Sequence, residues 1–286
     1  MSREYHYLVA GLPDLLYDDT KQQTDLLAYR TLLADNLHPS DYELIKLYFN
    51  RYDNKNLVER LKNPEIPLDE KGILDTGDWE LINFALKEDS ISEGIPGIPY
   101  YICRFLAAHK EDTPVYEGKS WELQLSELYF EHAMNVNNSF IQNWFLFERN
   151  LQNIMTAWQC RKYKIPLENQ ITGIGEIHDK LVRSSARDFG LDSEFPHLED
   201  ILRALEEEEL KESERRIDRI KWDFLDDAVF FHYFTIEKLF SFLVKLAVIE
   251  RWLLLDKTTG KKLFNELLSS METSYEFPAE FKLKHK

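Results

Sequence analysis

The stretch FIQNWFLFERNLQNIMTAW, residues 140–158, decides the fold class. Within it Phe140, Trp144, Phe147, Leu151, Ile154 and Trp158 are spaced 4, 3, 4, 3 and 4. That rhythm puts them on one side of an α-helix, as a seam that a second helix can cover at a shallow angle. Pro166 ends the helix.

Helical signals continue on both sides of it. Ser120 predicts an N-cap for a helix over Trp121 to about Met134. Pro99 suits the opening of a helix to about Lys110, after a loop at Ile91–Pro99 and a helix near Asp78–Lys87. Thr20 with Gln23, and Ser40 with Glu43, have the spacing of capping boxes. The first predicts a helix through Leu26, Leu33 and Leu37 that Pro39 breaks, and the second a helix running towards Pro64. Towards the other end, a helix from Glu176 is expected to stop at Gly190. A charged helix is expected over His197–Trp222, with Glu206–Glu209 in its middle and Glu207/Lys211 and Glu212/Arg216 as i, i+4 pairs. Phe230–Leu255 reads as a nearly all-apolar helix with Lys238, Ser241 and Lys245 on its outer face. Strand-like alternation is confined to Tyr5–Leu12.

Composition agrees with an all-α fold. Ten glycines and ten prolines in 286 residues are few breakers, against a usual combined share of ~12%. Asp and Glu number 51 against 35 Lys and Arg, a net charge of −16. So acidic a chain repels phosphates and is not expected to bind nucleic acid, but suits a partner with a basic face. Phe230–Leu255 carries Glu237, Lys238, Lys245, Glu250 and Arg251, too many charges for a bilayer span. No basic segment followed by an apolar run opens the chain, and Cys103 and Cys160 form no CxxC. The expectation is a cytoplasmic protein that meets a membrane only through partners.

The chain also repeats itself. Asp53-x-x-Asn56-Leu57 is followed by Ile66-Pro67-Leu68-Asp69, and Asn150-x-x-Asn153-Ile154 by Ile165-Pro166-Leu167-Glu168. The offset is 97 residues at Asp53/Asn150 and 99 at Ile-Pro-Leu, and each copy ends an aromatic-rich helix. A degenerate third copy begins at Glu250, with Leu253-Leu254 in place of Asn-Leu. An Asn beside an apolar seam can satisfy a neighbouring backbone group, and Ile-Pro-Leu reads as a sharp exit that re-buries two aliphatics. The repeat therefore reads as architecture without chemistry, in one domain over 1–286 with pseudo-repeats near 20–110, 121–210 and 211–286.

Repeated Asp-x-x-Asn-Leu on helices of a chain this size resembles the central-stalk subunit of rotary V/A-type ATPases, called C in prokaryotes and d in eukaryotes. The opening Tyr5-His6-Tyr7-Leu8-Val9-Ala10-Gly11-Leu12-Pro13-Asp14-Leu15 is similar to the start of a bacterial family encoded in V-type ATP synthase gene clusters. The better-known family has Arg near the Gly11 position and no Pro13, and its motif closes in Leu-Arg-x-Lys. Here Arg60-Leu61-Lys62 and Arg161-Lys162 keep only the basic character, and Pro13 implies a shortened or extended N-terminal segment. The resemblance implies a funnel of three helical units, with the rotating shaft in its mouth and the membrane c-ring at its base. The implied role is a non-catalytic rotor adaptor, peripheral on the inner membrane face, with no cofactor or metal.

Two other readings fit the residues. One is a generic helical scaffold that binds another protein. The other is a metal-dependent phosphohydrolase of HD type, in which His132, His178-Asp179 and Asp226 or Asp227 would hold a divalent cation that activates water. Gly118-Lys119-Ser120 lacks the leading glycine of a P-loop and reads as a helix cap. Gly173-Ile174-Gly175 is an incomplete dinucleotide fingerprint and reads as a loop into a helix.

Overall fold

A computed structural model describes residues 3–18, 25–191 and 194–255. Over these residues the protein is all-α. Eleven helices follow one another: α1 His6–Ala10, α2 Leu26–Asn36, α3 Pro39–Lys62, α4 Thr76–Lys87, α5 Tyr100–Lys110, α6 Trp121–Met134, α7 Ser139–Tyr163, α8 Glu176–Arg183, α9 Leu198–Leu205, α10 Leu210–Ala228 and α11 Ile236–Leu255. Tyr5–Leu12, the one stretch with strand-like alternation, contains α1. Among the described residues no helix is long and apolar enough to cross a membrane.

The seam of α7 is buried from Phe140 to Ile154, and only Trp158 at its far end is partly open. Helix α6 fills the space between α3, α5 and α7, while α11 closes over α2, α3 and α10. Aromatic rings join these layers. Phe240 of α11 meets Tyr48 of α3 and Phe140 and Phe145 of α7, with ring centroids 6.1–6.2 Å apart. Buried hydroxyls find backbone partners across helices: Tyr129 Oη donates to the Leu47 carbonyl at 2.8 Å, and Tyr29 Oη to the Leu239 carbonyl at 3.1 Å. One apolar core therefore runs from α2 to α11.

Helix ends follow side-chain chemistry, not always at the residues expected. Ser120 Oγ accepts from the Leu123 amide and caps α6. Helix α2 starts at an Asp25 cap, and the Thr20/Gln23 box lies outside the described residues. Ser40 and Glu43 do not form a capping box. His38 is the N-cap, its Nδ1 accepting from the Ser40 amide, and Pro39 opens α3 at the position where its missing N–H costs nothing. Glu43 instead pairs with Lys46 at 2.7 Å.

The C-terminal third departs most from expectation. Helix α8 ends at Arg183, and Gly190 turns the chain later, with φ +68. The charged segment is two helices, not one: Glu206–Glu209 joins α9 to α10. Glu207 pairs with Arg216 at 2.7 Å and Glu206 with Arg187 at 3.1 Å, in place of the i, i+4 pairs that a continuous helix would make. Ser241 and Lys245 are buried, so the stripe on α11 is not an outer face. The segment after α1 covers it, and Lys245 Nζ reaches Asp226. Burial holds the Lys245 ammonium below its usual pKa.

Charged groups also enter the helix interfaces. Glu148 of α7 accepts from Arg51 of α3 at 2.8 Å, and Lys221 of α10 lies 3.9 Å from its other oxygen. Asp218 of α10 binds Arg251 and accepts from Trp252 Nε1 at 2.9 Å. Arg51 also lies over the Tyr48 ring, 3.9 Å from its centroid.

Candidate functional site

Asn56 and Asn153 each hold a loop to a long helix. Asn56 Oδ1 accepts from the Asp69 amide at 2.8 Å, and its Nδ2 donates to the Asp69 carbonyl at 3.1 Å. Asn153 Oδ1 accepts from the Thr172 amide at 2.9 Å, and its Nδ2 donates to the Thr172 carbonyl at 2.7 Å. A primary amide suits this, because it offers donor and acceptor side by side to one residue's backbone. Leu57 and Ile154, the next residues of the motif, are core.

The loops themselves differ. Asp69 directly follows Leu68, whereas Thr172 lies well beyond Leu167. Ile66 and Leu68 are partly buried, but Ile165 is half exposed, so Ile165-Pro166-Leu167 does not re-bury both of its aliphatics. Ile171 enters the core in their place. The longer loop moves the point of burial towards Gly173.

The two copies diverge again at Asp53 and Asn150. Asp53 is saturated: its Oδ1 accepts from the amides of Ile73 and Leu74 at 2.9 and 3.0 Å, and its Oδ2 from Asn50 Nδ2 at 3.0 Å. Burial raises its pKa, and these bonds work against that rise. Gly72 leaves the space this needs, since a Cβ there would stand 2.5 Å from Asp53 Oδ1. Asn150 is only 6% exposed, yet among the described residues its side chain makes no hydrogen bond.

Asn150 faces a groove. A chamber of about 650 Å³ runs between α7, the 194–197 turn and the end of α10, and continues into one of about 350 Å³ between α7 and the start of α8. Leu146, Asn150, Ile177 and Glu194 line both. The larger chamber is floored by a ring stack, with Phe147 against Phe224 at 4.0 Å and against Phe195 at 5.6 Å. The smaller one holds Arg149, His178, Thr172, Ile174 and Gly175. Arg149 Nε is buried without a partner, and burial lowers the pKa of its guanidinium. Gly173, with φ +77, lies so close that a Cβ would stand 2.7 Å from the guanidinium carbon. Gly175, with φ +124, is the N-cap of α8 and supplies no side chain to its first amides. Neither Arg149 nor the groove had a signal in the sequence; the only trace was the Gly-x-Gly loop.

The residues of the metal reading lie apart in role. His132 packs on the Tyr101 ring at 5.1 Å, Asp226 is bound to Lys245, Asp227 lines the apolar chamber, and His178 lies 3.4 Å from Asp179. Among the described residues no three His, Cys, Asp or Glu side chains could share a metal ion. Lys119 of the P-loop-like segment is bound to Glu127, which also accepts from the Gly173 amide at 2.7 Å.

Burial holds the His132 imidazole below its ordinary value of 6.5. The unfolded chain therefore takes up a proton first, so this residue's contribution falls as pH drops through 6.5 towards the lower folded value. Urea midpoints at pH 7.5 and 5.5 should differ less in His132→Leu than in the wild type. An unchanged difference removes His132 as a source of acid sensitivity.

Helices, latched loops and an amphipathic groove define, over the described residues, an all-helical protein with one main core and a small second cluster at Trp222, Val248 and Ile249. The chain belongs to the family described as protein of unknown function (DUF2764), whose model matches residues 1–275. No curated protein and no solved structure matches it.

Proposed function

We propose that the protein is a non-catalytic adaptor, the central-stalk subunit of a V-type ATPase or ATP synthase, that couples the rotating shaft to the membrane c-ring. The observation that carries the adaptor reading is an aromatic cluster at the turn from α10 to α11. Phe230, Phe231, Tyr233 and Phe234 are exposed there, Phe231 by 80%, beside Tyr7 at 92%. The Tyr5 amide donates to the Phe234 carbonyl at 2.6 Å and joins the two segments. Exposed aromatics gathered in this way mark a surface made for another macromolecule. The central-stalk assignment rests on the Asp53-x-x-Asn56-Leu57 motif, its variant Asn150-x-x-Asn153-Ile154, and the opening segment. Latched loops suit a part that must pass torque without yielding, and the net charge of −16 suits a basic shaft. In this reading three helical units form the funnel and the protein is peripheral on the inner membrane face.

Co-purification with shaft subunits and c-ring from the same gene cluster tests it. Retention is expected at low salt, with weakening but not loss at high salt. Phe231→Ser with Tyr233→Ser should abolish retention while the fold persists. A folded wild-type protein that retains neither shaft nor ring at low salt refutes the stalk role.

A further inference from the structure

We propose that the aromatic turn between α10 and α11 enters the interfacial layer of a zwitterionic lipid bilayer, so that the protein touches a membrane directly as well as through partners. This goes beyond the adaptor reading, which asks only for a protein surface, although both use the same turn.

The turn is built to show its rings. Val229 and Ile236, on either side of it, are buried and anchor it in the core. The Phe230 amide donates to the Asp227 carbonyl at 3.3 Å and the His232 amide to the Val229 carbonyl at 2.8 Å, so the backbone between the anchors is held. His232 packs inward, its ring centroid 6.1 Å from that of Phe140. Phe230, Phe231, Tyr233 and Phe234 are left outside, with Phe230 edge-on to Phe231 at 4.9 Å. The His6 ring, 4.3 Å from Phe234, brings the exposed Tyr7 of α1 to the same place. Phenyl rings favour hydrocarbon, and tyrosine joins an apolar body to a polar end, which suits the layer between headgroups and acyl chains.

The charges around the turn favour lipid over a protein, and neutral lipid over anionic. Glu4 pairs with His6, Arg3 with Asp41 and Asp226 with Lys245. Glu237 is buried and accepts from Asn138 Nδ2 at 2.8 Å. That leaves Asp227 and Lys238, one charge of each sign. A protein partner is fixed in register by a rim of complementary charges and hydrogen bonds. This turn has no charge surplus to offer one, and a fluid interface needs none. The chain as a whole, at −16, is repelled by anionic headgroups. Insertion therefore depends on apolar contact, which salt does not screen.

Flotation of the full chain with phosphatidylcholine vesicles, without shaft or ring, tests the proposal and leaves the stalk assignment to its own experiment. The chain should float at low and high salt alike, and phosphatidylglycerol in the vesicles should weaken binding at low salt. Phe231→Ser with Tyr233→Ser, both at exposed positions, should weaken binding about tenfold. Leu81→Ser with Phe84→Ser removes two exposed apolar side chains from α4 and should leave binding unchanged. No flotation with phosphatidylcholine, flotation that needs anionic lipid or is lost at high salt, or equal losses in the two double variants overturns the proposal. A chain that retains shaft and ring but does not float assigns the turn to a protein partner instead.

Discussion

Glu148→Ala should lower the unfolding free energy by about 3 kcal/mol. Glu148 lies between α3, α7 and α10 with its side chain 5% exposed, and takes Arg51 at 2.8 Å and Lys221 at 3.9 Å. Removing it leaves the Arg51 guanidinium without a carboxylate, held only by the Tyr48 carbonyl, to which its Nε donates at 3.0 Å, and by the Tyr48 ring. The loss belongs at the lower end of the range for a broken buried pair, because Arg51 keeps 30% of its side chain in water. Replacing both residues, as Arg51→Met with Glu148→Leu, should recover most of it, since an ion pair and a packed apolar pair of similar volume are nearly equivalent. Urea or guanidinium unfolding of the single and double variants reads both numbers. A loss below about 1 kcal/mol for Glu148→Ala would mean that water reaches Arg51 freely.

Asn153→Ala should cost about 3 kcal/mol, and Asn56→Ala about 2 kcal/mol. Each substitution strands one backbone N–H and one C=O. The order follows from burial: Thr172 is inside the protein, while Asp69 is partly open to solvent that can replace the lost bonds. Asn153→Asp keeps the acceptor for the Thr172 amide but sets a carboxylate against its carbonyl, so it should be at least as harmful as alanine. Hydrogen exchange at the Thr172 amide gives a local readout and should accelerate in both Asn153 variants. Equal costs at the two positions would contradict the burial argument.

Much of the architecture was legible because it depends on local chemistry. The spacing from Phe140 to Trp158 states which side of α7 is buried, and Ser120 before Trp121 states where α6 starts. Asn56 and Asn153 stand out because an amide recurs beside an apolar seam, and both bond loop backbone. What escaped depends on neighbours distant in sequence. Ser241 and Lys245 look like an outward stripe until the segment after α1 is laid over them. The run Glu206–Glu209 looks like a solvated helical face, but it joins two helices, and its carboxylates Glu206 and Glu207 pair with Arg187 and Arg216. Asn150 carries the same motif letter as its neighbour Asn153, and nothing local says that one is bonded and the other free. Arg149 is one of many arginines until Gly173 is seen against it.

Glu250, near the end of α11, accepts from the amide of Leu26 at the first turn of α2 at 2.8 Å and also binds Lys71. Tyr29 of the same early helix donates to the Leu239 carbonyl and packs on Phe242. During synthesis, then, the ribosome releases α2 and α3 long before their cover exists. Leu26, Tyr29 and Leu33, all buried in the finished protein, must wait in the nascent chain for residues 236–250. The final docking of α11 is the step that shelters both ends of the helical body, and a chain stopped short of Glu250 would display its first helices to chaperones and proteases.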